Sequence, residues 1–119
     1  MSKNEEHQEQ CALIQWAKLQ AKTTPALSML FAIPNGGARS VITGAMLKRE
    51  GVQKGIPDLF LAVPRRACGG LFIEMKKKKG GVVSQEQREW IAKFVWQGYQ
   101  AEICNGWEEA RDIIIKYLG

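Results

Sequence analysis

Gly55-Ile56-Pro57-Asp58-Leu59-Phe60-Leu61-Ala62-Val63 and Leu71-Phe72-Ile73-Glu74-Met75-Lys76 are two short apolar runs of strand-forming residues. Each carries an acid where a purely structural strand has no use for one. Between them, Pro64-Arg65-Arg66-Ala67-Cys68-Gly69-Gly70 is rich in turn formers, so the pair reads as an antiparallel hairpin. If Val63 faces Leu71, Asp58 lies opposite Lys76 and diagonal to Glu74, and the two-residue period of a strand sends Glu74 and Lys76 to one face. Two acids and a lysine converge. With the backbone carbonyl of Met75 they form an oxygen-rich site suited to Mg²⁺, with Mn²⁺ able to substitute, because such ions take a few protein oxygens and keep several waters. Lys76 would then orient or help deprotonate one of those waters. The plain alternative is a turn followed by a solvated strand face.

The rest of the composition fits that centre. The chain has 119 residues, 45% of them hydrophobic, which suits one compact domain over residues 1–119. No apolar run approaches the roughly 18 residues of a membrane span, and the first ten residues are polar. The expectation is a soluble, cytoplasmic protein with no membrane partner and no small-molecule cofactor. Cys11, Cys68 and Cys104 are widely spaced and the chain holds one His, so neither a disulfide framework nor a zinc site is suggested.

The net charge of +5 is unevenly spread. Residues 1–34 hold three bases and three acids, residues 84–119 four bases and six acids, and residues 35–83 ten bases and three acids, giving 0, −2 and +7. All of the excess surrounds the hairpin. Positive charge around an acidic metal site is what phosphodiester chemistry on nucleic acid requires, since the groove must attract phosphates while the acids hold the metal. For Lys77 to Lys79 a solvated run is the competing explanation.

Periodicity and punctuation supply the other elements. From Glu5 to about Lys22 a helix is predicted, with Leu13, Ile14, Trp16, Ala17 and Ala21 at helical spacing and Glu6 and Gln10 in line with them. Leu27 to Ile33 reads as a buried strand, stopped by Pro34-Asn35-Gly36-Gly37, a turn whose N–H groups can face a ligand. Ala38 to Glu50 reads as a helix with Ile42, Ala45 and Met46 inward and Arg39, Lys48 and Arg49 outward, closed by Gly51. Lys54 places a further cation beside Asp58. Ser84-Gln85-Glu86-Gln87 has the form of a capping box, which alone accounts for Gln87, and the helix it opens ends at Gly98. Tyr99 to Cys104 reads as a second buried strand and Trp107 to Leu118 as a closing helix. The order is α-β-α-β-β-α-β-α.

Pro57-Asp58, a 15-residue gap and Glu74-Met75-Lys76 match the PD-(D/E)xK pattern of restriction-endonuclease-like nucleases. That pattern alone is weak, because D…E-x-K is common by chance. Here it sits among Ile33-Pro34-Asn35-Gly36-Gly37, Leu47-Lys48, Gly51-Val52, Gly55-Ile56-Pro57-Asp58-Leu59, Ser84-x-x-Gln87-x-x-Trp90 and Gly98. Taken together, residues 6–118 resemble the virus-type replication-repair nuclease (VRR-NUC) domain of stand-alone phage and bacterial proteins. The resemblance implies a restriction-endonuclease-like α/β core, a central mixed sheet flanked by helices. It implies Asp58 and Glu74 as metal-binding acids, the Met75 carbonyl as a further ligand and Lys76 as the residue that positions or activates water. Gln87 would support the site. A first-helix glutamate of the family falls on Glu6 by its E-x-x-x-Q spacing, with Glu9 the competitor. The expected activity is metal-dependent DNA hydrolysis leaving 5′-phosphates, with Asn35, Gly36, Arg39, Lys48, Lys54, Arg65, Arg66 and Lys77 to Lys79 along the DNA.

The resemblance further implies a structure-selective endonuclease, such as a homodimeric Holliday junction resolvase in DNA repair, with flap or nick processing as the alternative. A non-catalytic DNA-binding module with the same fold is the competing class. Against it, a module freed of catalysis has no reason to keep Asp58, Glu74 and Lys76 together. A sequence-specific restriction enzyme is disfavoured, since no segment is spare for reading base edges.

Overall fold

A computed structural model describes residues 2–34 and 41–119. Helix α1 (Ser2–Gln20) contains no Gly or Pro and buries Leu13 and Ala17, with Ile14 and Trp16 packed beside them. After it, Pro25 opens a 3₁₀ turn (Pro25–Met29), and the Ser28 hydroxyl donates to the Pro25 carbonyl at 2.7 Å. That turn shortens the first strand, β1, to Leu30–Ala32, where a strand over Leu27 to Ile33 was expected. Proline fixes φ near the helical value and the serine closes the turn locally, which outweighs the β propensity of the run. Nor is β1 buried, since it lies at the sheet edge with Phe31 49% exposed.

Helix α2 (Val41–Arg49) is closed by Gly51 at φ 104°, with Gly51 N–H on the Lys48 carbonyl and Val52 N–H on the Leu47 carbonyl. The expected inward face is not the buried one. Ala45 is exposed and Met46 is 54% exposed, while Leu47 is half-buried and lines a cleft together with Lys48. The helix borders that cleft rather than the core. The side chain of Ile42 lies outside the described residues.

Strands β2 (Leu59–Leu61), β3 (Leu71–Lys76) and β4 (Gln100–Asn105) complete a four-stranded mixed sheet in the order β1-β2-β3-β4. The first two pairings are antiparallel and β3–β4 is parallel, joined through helix α3 (Gln85–Trp96). Helix α4 (Trp107–Leu118) ends the chain. The architecture is the expected restriction-endonuclease-like one, a mixed sheet flanked by helices, with the predicted element order.

The hairpin register corrects the sequence reading by two residues. Leu61, not Val63, faces Leu71, and Phe60 faces Phe72. The chain leaves the ladder after Leu61 and makes a smaller turn closed by the Arg65–Cys68 pair, with Arg66 at φ 47° and Ala67 at φ 66°. Two positive φ values in a two-residue loop are the type I′ pattern that suits twisted strands. A two-residue slip preserves faces and moves partners. Continued past the ladder, the observed register sets Asp58 across from Glu74 instead of Lys76.

Alternation along the sheet then sorts the side chains. Leu59, Leu61, Leu71, Ile73 and Met75 join Leu13, Ala110, Ile114 and Tyr117 in the core, each large apolar side chain contributing about 1.5–3 kcal/mol. The Tyr117 hydroxyl donates to the Val63 carbonyl at 2.6 Å, so that core loses no hydrogen bond. The alternate residues Phe60 and Phe72 stack on each other at 4.3 Å between centroids, and Phe72 stacks on Phe94 of α3 at 3.8 Å. Glu74 and Lys76 continue that second face along β3, where Gln87 of α3 reaches Glu74. Among the described residues, no helix is long and apolar enough to cross a membrane.

Candidate active site

Asp58 is held at both ends. Its carbonyl accepts from Ile33 N–H at 2.7 Å, tying it to the end of β1, and its Oδ2 accepts from Met75 N–H at 2.8 Å. Pro57, fully buried, fixes the approach. Because the N–H and C=O of one strand residue point to the same side, the Met75 carbonyl also faces the Asp58 side of β3. Lys76 points its carbonyl the other way, onto Gly106 N–H at 2.9 Å. The Met75 side chain is in the core, away from the acids.

Glu74 is 2% exposed and Lys76 4%, an acid and an ammonium together in the protein interior. Their separation is 3.6 Å from Oε2 to Nζ. Such burial costs several kcal/mol per ion before the mutual attraction is counted, a cost the fold itself does not require. Glu74 Oε2 also accepts from Gln87 Nε2 at 3.0 Å, whereas Oε1 is buried without a hydrogen-bond partner. Burial first, and the neighbouring Asp58 charge second, push the Glu74 carboxyl up to about 9; Lys76 pulls it down and Glu6 adds to the rise. Two close carboxylates and an orphaned oxygen are what a hard dication would satisfy. Among the described residues there is no group of three or more His, Cys, Asp or Glu at metal-binding separation. Asp58, Glu74 and the Met75 carbonyl could hold such an ion, with water filling its other positions.

Gln87 reaches Glu74 with a fixed amide orientation. Its Oε1 accepts from Ser84 N–H at 2.9 Å while Ser84 Oγ accepts from Gln87 N–H at 3.1 Å, a complete capping box. Only the NH₂ end is left to face Glu74. Capping is therefore not an alternative to a role at the site; it sets that role's geometry. The start of α3 is in turn clamped to the loop before Asp58: Lys54 pairs with Glu86 at 3.8 Å, and Trp90 Nε1 donates to the Lys54 carbonyl at 3.1 Å.

A cleft of about 1010 Å³ opens over these groups. Asp58, Glu74, Gln87, Glu6, Lys48 and Lys54 line it, with Lys76 buried behind Glu74 rather than in its wall. Glu6 and Glu9 part company here. Glu9 Oε1 accepts from Trp107 N–H at 2.8 Å, capping α4, whose Gly106 N-cap has no side chain to do so.

Other basic residues lie elsewhere. Arg66 Nη2 donates to the Lys116 and Tyr117 carbonyls at 3.2 and 2.6 Å, and Arg65 reaches the Leu118 carbonyl at 3.5 Å. Both serve the C-terminus of α4 at the hairpin end remote from Asp58. Lys78 pairs with Glu108 at 3.4 Å, Lys77 is half-buried and Lys79 is exposed. Asn35, Gly36 and Arg39 lie outside the described residues. Sequence reasoning missed Trp90 and Lys93, which line the cleft. The available signal was spacing: Trp90 follows Gln87 by three residues and so shares its helix face.

The VRR-NUC domain family matches residues 1–108. The chain belongs to that family. VRR-NUC domains are nuclease domains, which supports a nuclease role for this chain. A solved structure named as a VRR-NUC domain protein superimposes with a TM-score of 0.81 and 31% sequence identity, covering 95% of this chain and 87% of the other. Among curated proteins, none matches.

Proposed function

We propose that this VRR-NUC protein is a Mg²⁺-dependent DNA endonuclease whose catalytic group is Asp58, Glu74 and Lys76, supported by Gln87 and Glu6. The observation that carries the reading is the buried Glu74, paired with Lys76 and Gln87 through Oε2 and left with an orphaned Oε1. A bound dication would polarise the scissile phosphate and acidify a water. Asp58, Glu74 and the Met75 carbonyl would hold it. Lys76, 3.6 Å from Glu74 Oε2, would help the dication hold Glu74 ionised and would orient the attacking water. Gln87 holds Oε2, which would leave Oε1 for the metal, and Glu6 lines the cleft wall. Lys48 and Lys54 would bind backbone phosphates at the rim. Arg65 and Arg66 are left out of that track because their guanidinium groups cap α4.

The substrate we propose is branched DNA, with a homodimer setting two such sites against opposing strands of a four-way junction. Labelled four-way junction, flap, nicked and linear duplex DNA, each with Mg²⁺ or EDTA and beside a Lys76→Ala variant, tests this. The expected result is metal-dependent cutting that prefers branched DNA and is lost in the variant while binding persists. Wild-type cutting by Lys76→Ala would remove Lys76 from the mechanism, and no cutting of any substrate would favour the binding module. Light scattering with and without a junction reads the dimer.

A further inference from the structure

The proposed metal and phosphate chemistry uses only part of the cleft lining. The lining also includes the apolar Leu47, Val52 and Trp90, among Gln53, Glu86, Glu89 and Lys93. A phosphodiester backbone has no use for an apolar wall; a nucleobase does. The volume, about 1010 Å³, exceeds what a hydrated ion and one phosphate need and suits a whole nucleotide beside them.

Trp90 is built as a platform. Its indole N–H is anchored on the Lys54 carbonyl at 3.1 Å, and Phe94 supports the ring at 5.5 Å between centroids. The Lys93 ammonium lies over the indole face, 4.5 Å from its centroid, so a base stacking on that face takes the place of the ammonium, which is free to swing to a flanking phosphate. Glu89 lies one turn earlier, at the spacing of a helical ion pair. Among the described residues Lys93 nevertheless makes no such pair, so its charge remains to meet a phosphate.

From these contacts we infer that Trp90 and Lys93 form a subsite for one unpaired nucleotide next to the scissile phosphate, the base stacked on the indole and a flanking phosphate on Lys93. A base still paired within a duplex has its faces covered by its neighbours and cannot occupy it. Selection of branched or gapped DNA then arises inside the active-site cleft of each protomer. The inference rests on the nuclease reading above and is separable from it.

The test uses the full chain in EDTA, so that nothing is cut, and a DNA duplex carrying one bulged 2-aminopurine, with the fully paired duplex as reference. Wild type is expected to change the 2-aminopurine emission by stacking and to bind the bulged DNA roughly tenfold or more tightly than the paired one. Trp90→Leu should lose both effects and keep its affinity for paired duplex, whereas Trp90→Phe should retain most of each. Lys93→Met should weaken binding of the bulged DNA and lessen its salt dependence. Because Trp90→Leu also removes the anchor on Lys54, its melting temperature is compared with that of Trp90→Phe, which lacks the same hydrogen bond. If Trp90→Leu proves unfolded, a Trp90→Phe variant that loses both effects overturns the inference. An unchanged emission and bulge preference in Trp90→Leu overturns it as well. Metal-dependent cutting by wild type in a parallel assay shows that such a failure belongs to the subsite and not to the nuclease reading.

Discussion

Gly55→Ala is the sharpest single perturbation of the scaffold. Gly55 has φ 89°, and a Cβ there would lie 2.7 Å from Glu86 Cβ, 2.8 Å from the Glu86 carbonyl carbon and 3.0 Å from Gln87 N. Against an ordinary contact of 3.4 Å, the first turn of α3 must retreat by about 0.7 Å, and these atoms are too close to the backbone to swing aside. Positive φ adds about 1–2 kcal/mol. With the displaced turn the total reaches about 2–4 kcal/mol. The same shift carries Gln87, whose bond to Glu74 is 3.0 Å, toward the limit of hydrogen-bonding distance. Small misplacements of this kind cost on the order of 10²-fold in rate. Gly51→Ala is the matched control, with φ 104° and nothing within 4 Å of the added carbon, so it meets the strain without the clash. Thermal melts and cleavage rates of both variants, with DNA binding measured in EDTA, should show Gly55→Ala losing stability and on the order of 10–100-fold in rate, and Gly51→Ala losing about 1 kcal/mol and little rate. Equal losses of rate in the two would refute the argument that Gly55 acts through α3.

Three further outcomes follow from the charge and thiol environments. Without metal, Glu74 in the folded chain stays protonated up to about 9 while in the unfolded chain it ionises near 4.5, so the stability it contributes is complete below 4.5 and is lost as pH rises toward 9. Melts of the protein in EDTA from pH 5 to 9 should fall more steeply than those of Glu74→Gln, and added Mg²⁺ should restore more at the upper end, because binding requires the ionised carboxylate. Burial pushes the Cys104 thiol up to about 12, with Glu109 and Glu102 adding to it, so iodoacetamide should label exposed Cys11 in the native protein and reach Cys104 only after denaturation, as read by mass spectrometry. Arg66→Ala removes the guanidinium from the Lys116 and Tyr117 carbonyls and should lower stability by about 1–3 kcal/mol while leaving the salt slope of DNA binding unchanged, a slope reduced by about one marking a phosphate contact instead.

The order of elements was legible because punctuation marks them: Pro25, Gly51, Ser84 and Gly98 sit at ends the structure keeps. The convergence of Asp58, Glu74 and Lys76 was legible because a period of two survives a slip of two, which is also why the register was not. That depended on a turn at Arg66 and Ala67, residues with no special claim to positive φ. Arg65 and Arg66 read as surplus charge, yet their partners are carbonyls some 50 residues away, a tertiary relation no local pattern carries. The same holds for Glu9 and Trp107. The buried face of α2 was misjudged since three apolar residues on a nine-residue helix define a stripe without saying what lies opposite it. At Gln87 two explanations competed on paper, and the geometry shows one amide satisfying both contacts.

In the proposed mechanism Glu74 holds the reacting centre together, and Glu74→Gln tests that role with the least disturbance. The amide keeps the size of the side chain while removing the charge that faces Lys76 and a dication. Cleavage of the best branched substrate in Mg²⁺, beside the melting curve and DNA affinity of the same preparation, should show a rate at least about 10²-fold below wild type with folding and binding retained. A Glu74→Gln protein that cuts within threefold of wild type would contradict the account.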